Sequence, residues 1–250
     1  MTLGILGGMG PAATAHFYSR LISLTDAEGD GGHLDVLLSG RASTPDRTAY
    51  LLGESGESPL PSLLQDAERL AAAGADLLVM LCHTAHAFLP ELRAALRLPL
   101  LDMPYIALAA AAQRGWRRIG VLSTEGSFRA SVFEAPASRC GISLLYPTGE
   151  ERRRVSDIIY KAVKCGKPDP CVAKIPLAPS LSTQICDALL LGCTELSLLH
   201  PLDLRTGNAF YRLPYIDQER VYIDPLEILC RVCIRLAGKK LREERTDALS

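Results

Sequence analysis

The chain has 250 residues, of which 48% are hydrophobic and 22% charged, a composition that suits one large globular domain or two modest ones. With 27 basic and 28 acidic side chains the net charge is close to zero, so no strong field favours nucleic acid or an anionic membrane. No basic leader opens the sequence and no apolar run reaches the roughly 20 residues that span a bilayer, so a cytoplasmic location without membrane contact is expected.

In chain order the sequence alternates short apolar runs with helical patterns, as parallel α/β folds do. Leu3 to Leu6 reads as a buried strand that runs into Gly7-Gly8-Met9-Gly10, and Pro11 suits the first position of a helix. His33 to Ser39 reads as the next strand. Residues 60 to 73 form an amphipathic helix that Gly74 ends. Asp76 to Leu81 is a strand leading into Cys82-His83-Thr84-Ala85-His86, followed by a helix from about Ala85 to Leu96 and a short strand at Leu98 to Leu101.

The same grammar then recurs. Arg118 to Leu122 is a strand that enters Ser123-Thr124-Glu125-Gly126-Ser127, and Ile142 to Tyr146 is another. Val155 to Val163 reads as a helix, a further helix is expected in the 170s and 180s, and Cys186 to Leu191 is a strand ending at Gly192-Cys193-Thr194-Glu195. The distance from Leu6 to Cys82 is 76 residues and from Leu122 to Cys193 is 71, a weak internal duplication. The expected fold is therefore α/β, with two similar parallel-sheet α/β domains related by a pseudo-two-fold axis. The first would comprise residues 1–104 with about 212–250, and the second residues 105–211. Ligands of parallel sheets bind beyond the carboxyl ends of the strands, where the four loops lie, so the active site is expected in the cleft between the domains.

Eight cysteines are present. Cys230 and Cys233 fall on the apolar face of a helical pattern and read as core thiols. No second Cys/His pair lies near them, so no metal knuckle is expected. Cys82 and Cys193 each follow a strand and read as opening a helix, a position that lowers a thiol's pKa. Two thiols on opposite sides of one carbon are what racemisation requires: one thiolate removes the α-proton and the other thiol returns a proton to the opposite face. A metal site at Cys82, His83 and His86 is disfavoured, because neighbouring side chains at a helix start diverge. The glycines of residues 7–10 lack the phosphate-loop lysine and the dinucleotide spacing, and read as allowing close approach to a small substrate. The basic stretch Gly238 to Arg242 reads as a solvated helix end.

Four motifs in order, Gly4-Ile5-Leu6-Gly7-Gly8-Met9-Gly10-Pro11, Pro45-Asp46-Arg47-Thr48, Cys82-x-Thr84-Ala85-His86 and Gly192-Cys193-Thr194-Glu195-Leu196, resemble the aspartate/glutamate racemases. The resemblance implies two similar α/β domains, catalytic Cys82 and Cys193, no cofactor, a small amino-acid substrate and a possible homodimer. It also implies that Arg47 and Lys164 hold carboxylates, since two acidic groups call for two cationic pockets and arginine meets a carboxylate bidentately. Gly7, Met9, Gly10, His83, Thr84, Thr124, Thr194 and Glu195 would complete the substrate pocket. Where the family usually carries Asn after the first cysteine, this chain has His83. Other enzymes of the same scaffold, such as a decarboxylase, a maleate-type isomerase or a hydantoin racemase, and a non-catalytic amino-acid-binding protein are the alternatives.

Overall fold

The computed structural model describes residues 1–165, 178–183, 186–199, 210–213 and 217–242. The first half holds β1 (Thr2–Leu6), α1 (Pro11–Leu24), β2 (Asp35–Ser39), α2 (Arg47–Leu51), α3 (Leu60–Ala72), β3 (Leu77–Met80) and α4 (Leu89–Ala95). α5 (Met103–Gln113) leads into the second half, which holds β4 (Arg118–Ser123), α6 (Glu125–Arg129), α7 (Glu134–Cys140), β5 (Ser143–Leu145) and α8 (Gly149–Asp157). It continues through α9 (Pro179–Thr183), β6 (Ala188–Gly192), β7 (Phe210–Leu213) and β8 (Asp217–Ile223), and α10 (Pro225–Leu236) follows.

Two sheets result, with strand orders β2-β1-β3 and β5-β4-β6-β8-β7. The core of each is parallel, with the earliest strand in the middle, so the order β2-β1-β3 is repeated by β5-β4-β6. Among the described strands, the β7–β8 pair alone is antiparallel. Side chains alternate across each strand, and both faces of each sheet are covered, as parallel sheets require. Leu3, Ile5, Leu77 and Val79 pack on one face of the first sheet with α1 and α10, while Leu6, Leu78 and Met80 face α3. Ile119, Val121 and Leu190 join α5 and α7 on one face of the second sheet, while Leu122, Leu189 and Leu191 face Val155 and Ile159.

The duplication extends to individual side chains. Asp76, just before β3, accepts from the Thr2 N–H at the start of β1 (2.6 Å), and the Asp76 N–H returns a bond to the Thr2 carbonyl (2.9 Å). Asp187, just before β6, accepts from the Arg117 and Arg118 N–H groups (2.6 and 2.8 Å) and donates to the Arg118 carbonyl (2.7 Å). Each aspartate stands six residues before its cysteine.

Several expected elements take a different form. The helix expected from Ala85 is a 3-10 turn, Thr84–Phe88, and α4 begins only at Leu89, with Pro90 in its first turn. Leu98 to Leu101 contributes one parallel bridge, Leu100 to Leu78, not a strand. The helix expected over Val155 to Val163 is the end of α8 followed by a π-helical stretch, Ile158–Val163. Of the helix expected in the 170s and 180s, α9 is seen and residues 170–177 lie outside the described residues. The boundary expected near residue 212 falls inside β7, which belongs to the second sheet, so the chain rejoins the first half at α10. The basic stretch expected to end a helix lies beyond it: α10 stops at Leu236, Gly238 turns the chain at φ 69°, and Leu241 pairs with Thr25. Cys230 and Cys233 are fully buried on α10, as expected.

Candidate active site

Four loops at the carboxyl ends of β1, β3, β4 and β6 converge. After β1, Gly8 adopts φ 83°, and a Cβ there would strike the Arg41 backbone, so the sharp turn needs glycine. The Gly8 N–H donates to Thr14 Oγ1 (3.0 Å), which pins the loop to α1. Arg47, at the start of α2, is 6% exposed and crosses to this loop: Nη2 donates to the Met9 carbonyl (2.9 Å) and Nη1 to the Thr44 and Pro45 carbonyls (3.1 and 3.0 Å). Its Nε–H is buried without a partner. The guanidinium also lies within electrostatic reach of Cys82.

Cys82 and Cys193 are both buried, at 7% and 6% exposure. The backbone of Cys82 is held by His86, whose Nδ1 lies 2.8 Å from the Cys82 carbonyl. The Met103 N–H donates to His86 Nε2 (3.2 Å), so the proton sits on Nδ1 and the ring is neutral. Burial keeps the His86 pKa low. Cys193 donates from Sγ to Glu195 Oε2 (2.9 Å), and Thr194 Oγ1 donates to the same oxygen (3.1 Å). A lowered thiol pKa was expected at both cysteines from a helix start. At Cys193 the opposite holds: burial first, then the Glu195 carboxylate, push the thiol well above the ordinary range, and Lys164 only partly opposes them. The physical reason is that a single 3-10 turn, Leu196–Leu198, supplies little helix dipole, while the carboxylate is in direct contact.

A cavity of about 480 Å³ opens between the halves, with Met9, Gly10, Asp46, Arg47, Lys164 and Glu195 in its wall. Lys164 Nζ lies 4.0 Å from Glu195 Oε1 and 4.5 Å from the centre of the Tyr160 ring. Gly10 lies directly against the Glu195 carboxylate, which a Cβ there would displace. The charged partners of both cysteines, Arg47 for Cys82 and Glu195 for Cys193, thus line one space.

The remaining expected residues divide. Gly7 lies beneath the cavity, its N–H donating to the Ser39 carbonyl (2.8 Å). Thr84 and Thr124 are buried at the seam of the two halves, their hydroxyls 3.0 Å apart, and Ser127 Oγ closes a triangle at 2.9 and 3.0 Å. Thr124 also caps α6 by accepting from the Ser127 N–H. His83 is 1% exposed and stacks near Phe133 (5.4 Å) and His86 (6.4 Å), with neither ring nitrogen hydrogen-bonded. It is not part of the cavity wall.

Three residues of the site were not foreseen. Ser127 completes the hydroxyl triangle, and Asp46 caps α2 through Ala49 N–H (2.8 Å) while lining the cavity. Tyr160 donates across the seam to Asp46 (3.4 Å) and lies within electrostatic reach of both Cys82 and Cys193. The Asp46 signal was present in Pro45-Asp46-Arg47-Thr48, where a cap residue precedes the helix start. Tyr160 had no such signal, because its placement depends on the π-helical turn.

The Asp/Glu/Hydantoin racemase family model matches residues 6–227. Glutamate racemase of Lactiplantibacillus plantarum is 31% identical over 185 residues, 68% of this chain and 66% of that protein. Glutamate racemase of Pseudomonas aeruginosa is 32% identical over 188 residues, 68% of each. The chain thus matches about two thirds of the length of these curated relatives. The solved structure of Picrophilus torridus aspartate racemase superposes with a TM-score of 0.79 at 27% identity, covering 96% of both chains. With a family match over most of its length, two parallel sheets of repeated topology and a cysteine after the third strand of each half, the chain belongs to the Asp/Glu/Hydantoin racemase family.

Proposed function

We propose that this protein interconverts the enantiomers of an acidic amino acid, aspartate in the first instance and glutamate in the second, without pyridoxal phosphate. Cys82 and Cys193 act as the acid/base pair. One sulfur takes the α-hydrogen as a proton while the S–H of the other delivers its proton to the opposite face of the same carbon. The observation that carries this reading is that Arg47, beside Cys82, and Glu195, bonded to Cys193, line a single cavity between the halves. Residues 1–104 with α10, and residues 105–223, would then be the two units that enclose the substrate.

The charges suit a dicarboxylate. Lys164 faces the cavity from the second half and meets one carboxylate. Arg47, in the cavity wall beside Cys82, supplies the positive charge for the other, while its Nη groups stay on the loop carbonyls. Met9 and Gly10 line the space around them, and Thr194 holds Glu195 through its hydroxyl. Thr84 and Thr124 join the two halves at the seam, and His83 packs against Phe133 outside the cavity wall. The α-carbanion is the costly species. Fixed cations and N–H groups in a closed cavity supply its stabilisation.

The test is racemisation of L- and D-aspartate and of L- and D-glutamate, followed by chiral chromatography, in the wild type and in Cys82→Ala and Cys193→Ala. Interconversion in the wild type and its loss in both variants supports the reading. Full activity in either single variant refutes the two-base scheme, and no activity on any acidic amino acid refutes the substrate class.

A further inference from the structure

The two sulfurs stand in unlike electrostatic surroundings. We propose that Glu195 is a positioning residue that keeps a proton on Cys193 in the free enzyme, so that Cys193 rests as the acid and Cys82 as the base. This rests on the two-cysteine reading above.

The geometry is specific. Cys193 Sγ lies 2.9 Å from Glu195 Oε2, and Glu195 is only 3% exposed. A thiolate and a carboxylate at that separation in a buried site repel strongly, whereas an S–H donating to the carboxylate is a charge-assisted hydrogen bond. Thr194 Oγ1 donates to the same oxygen and fixes the carboxylate's orientation. Gly10 leaves room for the Glu195 side chain to lie flat against the first loop. The groups that face Cys193 are Glu195 from its own turn, and Lys164 and Tyr160 from the π-helical segment and its end. Lys164 and the Glu195 backbone N–H favour the thiolate, but the Lys164 ammonium is 4.0 Å from the other Glu195 oxygen, which draws its charge toward the carboxylate. Burial and the carboxylate both raise the Cys193 thiol, in agreement with the geometry. With the proton on Cys193, the base of the pair is Cys82, beside the Arg47 guanidinium.

The step balances without a further reactant. The Cα–H bond breaks and its proton forms an S–H on Cys82, while the Cys193 S–H breaks and its proton forms the new C–H. Turnover leaves an S–H on Cys82 and the thiolate on Cys193 against Glu195, so Cys82 must release a proton and Cys193 take one up before the resting form is restored. The opposite enantiomer reacts with this second, less populated form. Because the two enantiomers are equal in free energy, the asymmetry does not alter the ratio of their kcat/KM values. It is read instead from the thiols.

The experiment is site-resolved alkylation of the wild-type protein with iodoacetamide from pH 6 to 10, quantified by peptide mass spectrometry, alongside Glu195→Gln and Glu195→Asp. Cys82 and Cys193 have nearly equal exposure, so their labelling ratio reports thiolate content more than access. In the wild type at pH 7.5 Cys82 is expected to label faster than Cys193, whose proton the Glu195 carboxylate holds. Glu195→Gln brings the two rates toward parity and moves the alkaline limb of kcat/KM to lower pH, and Glu195→Asp restores part of both. Labelling of Cys193 as fast as Cys82 in the wild type overturns the inference, as does an unchanged ratio in Glu195→Gln. Should Glu195→Gln not fold, the wild-type pH profiles decide, because Cys193 must begin to label at higher pH than Cys82. Equal labelling with intact racemisation overturns only this inference. Unequal labelling without racemisation overturns only the proposed activity.

Discussion

Replacing His83 by Asn should flatten the loss of stability in mild acid. The imidazole is 1% exposed and neither nitrogen has a partner, so a charge there has nothing to compensate it. Burial, and secondarily the neighbouring His86, hold its pKa well below the ordinary value. The unfolded chain binds a proton near pH 6.5, whereas the folded chain does not. The folded-state pKa is therefore the lower one, and the contribution is complete above pH 6.5 and declines as the pH falls toward the folded value. While the native ring stays neutral, the loss between pH 7 and pH 5 is about 2 kcal/mol for each such histidine. His86, also lowered by burial, contributes in the same direction. Urea unfolding at pH 7, 6 and 5 measures this. His83→Asn is expected to be less stable at pH 7, because the ring packs 5.4 Å from Phe133, yet to lose about 2 kcal/mol less than the wild type on going to pH 5. Parallel losses in the two proteins would refute the reasoning.

Three further outcomes follow from the same structure. Arg20 is 1% exposed and pairs bidentately with Glu227 of α10 (2.9 Å for both bonds), so Arg20→Met leaves the buried carboxylate with the longer Arg231 contact (3.5 Å) in place of two short bonds and should cost about 3 kcal/mol in chemical denaturation. Gly4 and Gly120 occupy equivalent places in β1 and β4, where a Cβ would lie 2.6 Å from Leu78 Cδ2 and 2.5 Å from Leu189 Cδ2. Gly4→Ala and Gly120→Ala should therefore each cost about 1–3 kcal/mol, and a marked inequality would count against the duplication. Burial raises the thiols of Cys230 and of Cys233, the latter to about 12. Their folded pKa values exceed the unfolded one, so the stability they contribute is complete below about pH 8.5 and falls by about 1.4 kcal/mol per pH unit per thiol above it. In Cys233→Ala the slope of stability against pH, measured from pH 8.5 to 10.5, should be shallower by that amount.

The strands were legible because their alternation and turn residues are local. Leu3 to Leu6 bounded by Gly7-Gly8, and Arg118 to Leu122 bounded by Ser123-Thr124, announce themselves within a few residues. The duplication was legible in loop spacing, and its firmer marks, Asp76 and Asp187, were present in the sequence. Their role became clear only once each was seen to bond the first residues of the neighbouring strand, more than 60 positions away. The turn after Cys82 carries helical spacing at Ala85, Phe88 and Leu89 yet forms a 3-10 turn. Pro90, which suits only a first turn, moves the helix start to Leu89. At the site, the residue types were readable but their partners were not. Nothing local in Cys193-Thr194-Glu195 reveals that the glutamate turns back onto the cysteine. Likewise, no spacing rule tells that Arg47 would reach the Met9 carbonyl, 38 residues earlier.

The most direct test is the fate of solvent deuterium at the earliest stage of turnover. A single enantiomer of aspartate is incubated with the protein in D₂O, and the deuterium content of each enantiomer is determined after chiral separation at a few per cent conversion. Two sulfurs acting from opposite faces place deuterium at Cα of the product and leave the recovered starting enantiomer fully protiated. Deuterium in both enantiomers from the outset, or protium carried from substrate into product, would mean that one group serves both faces.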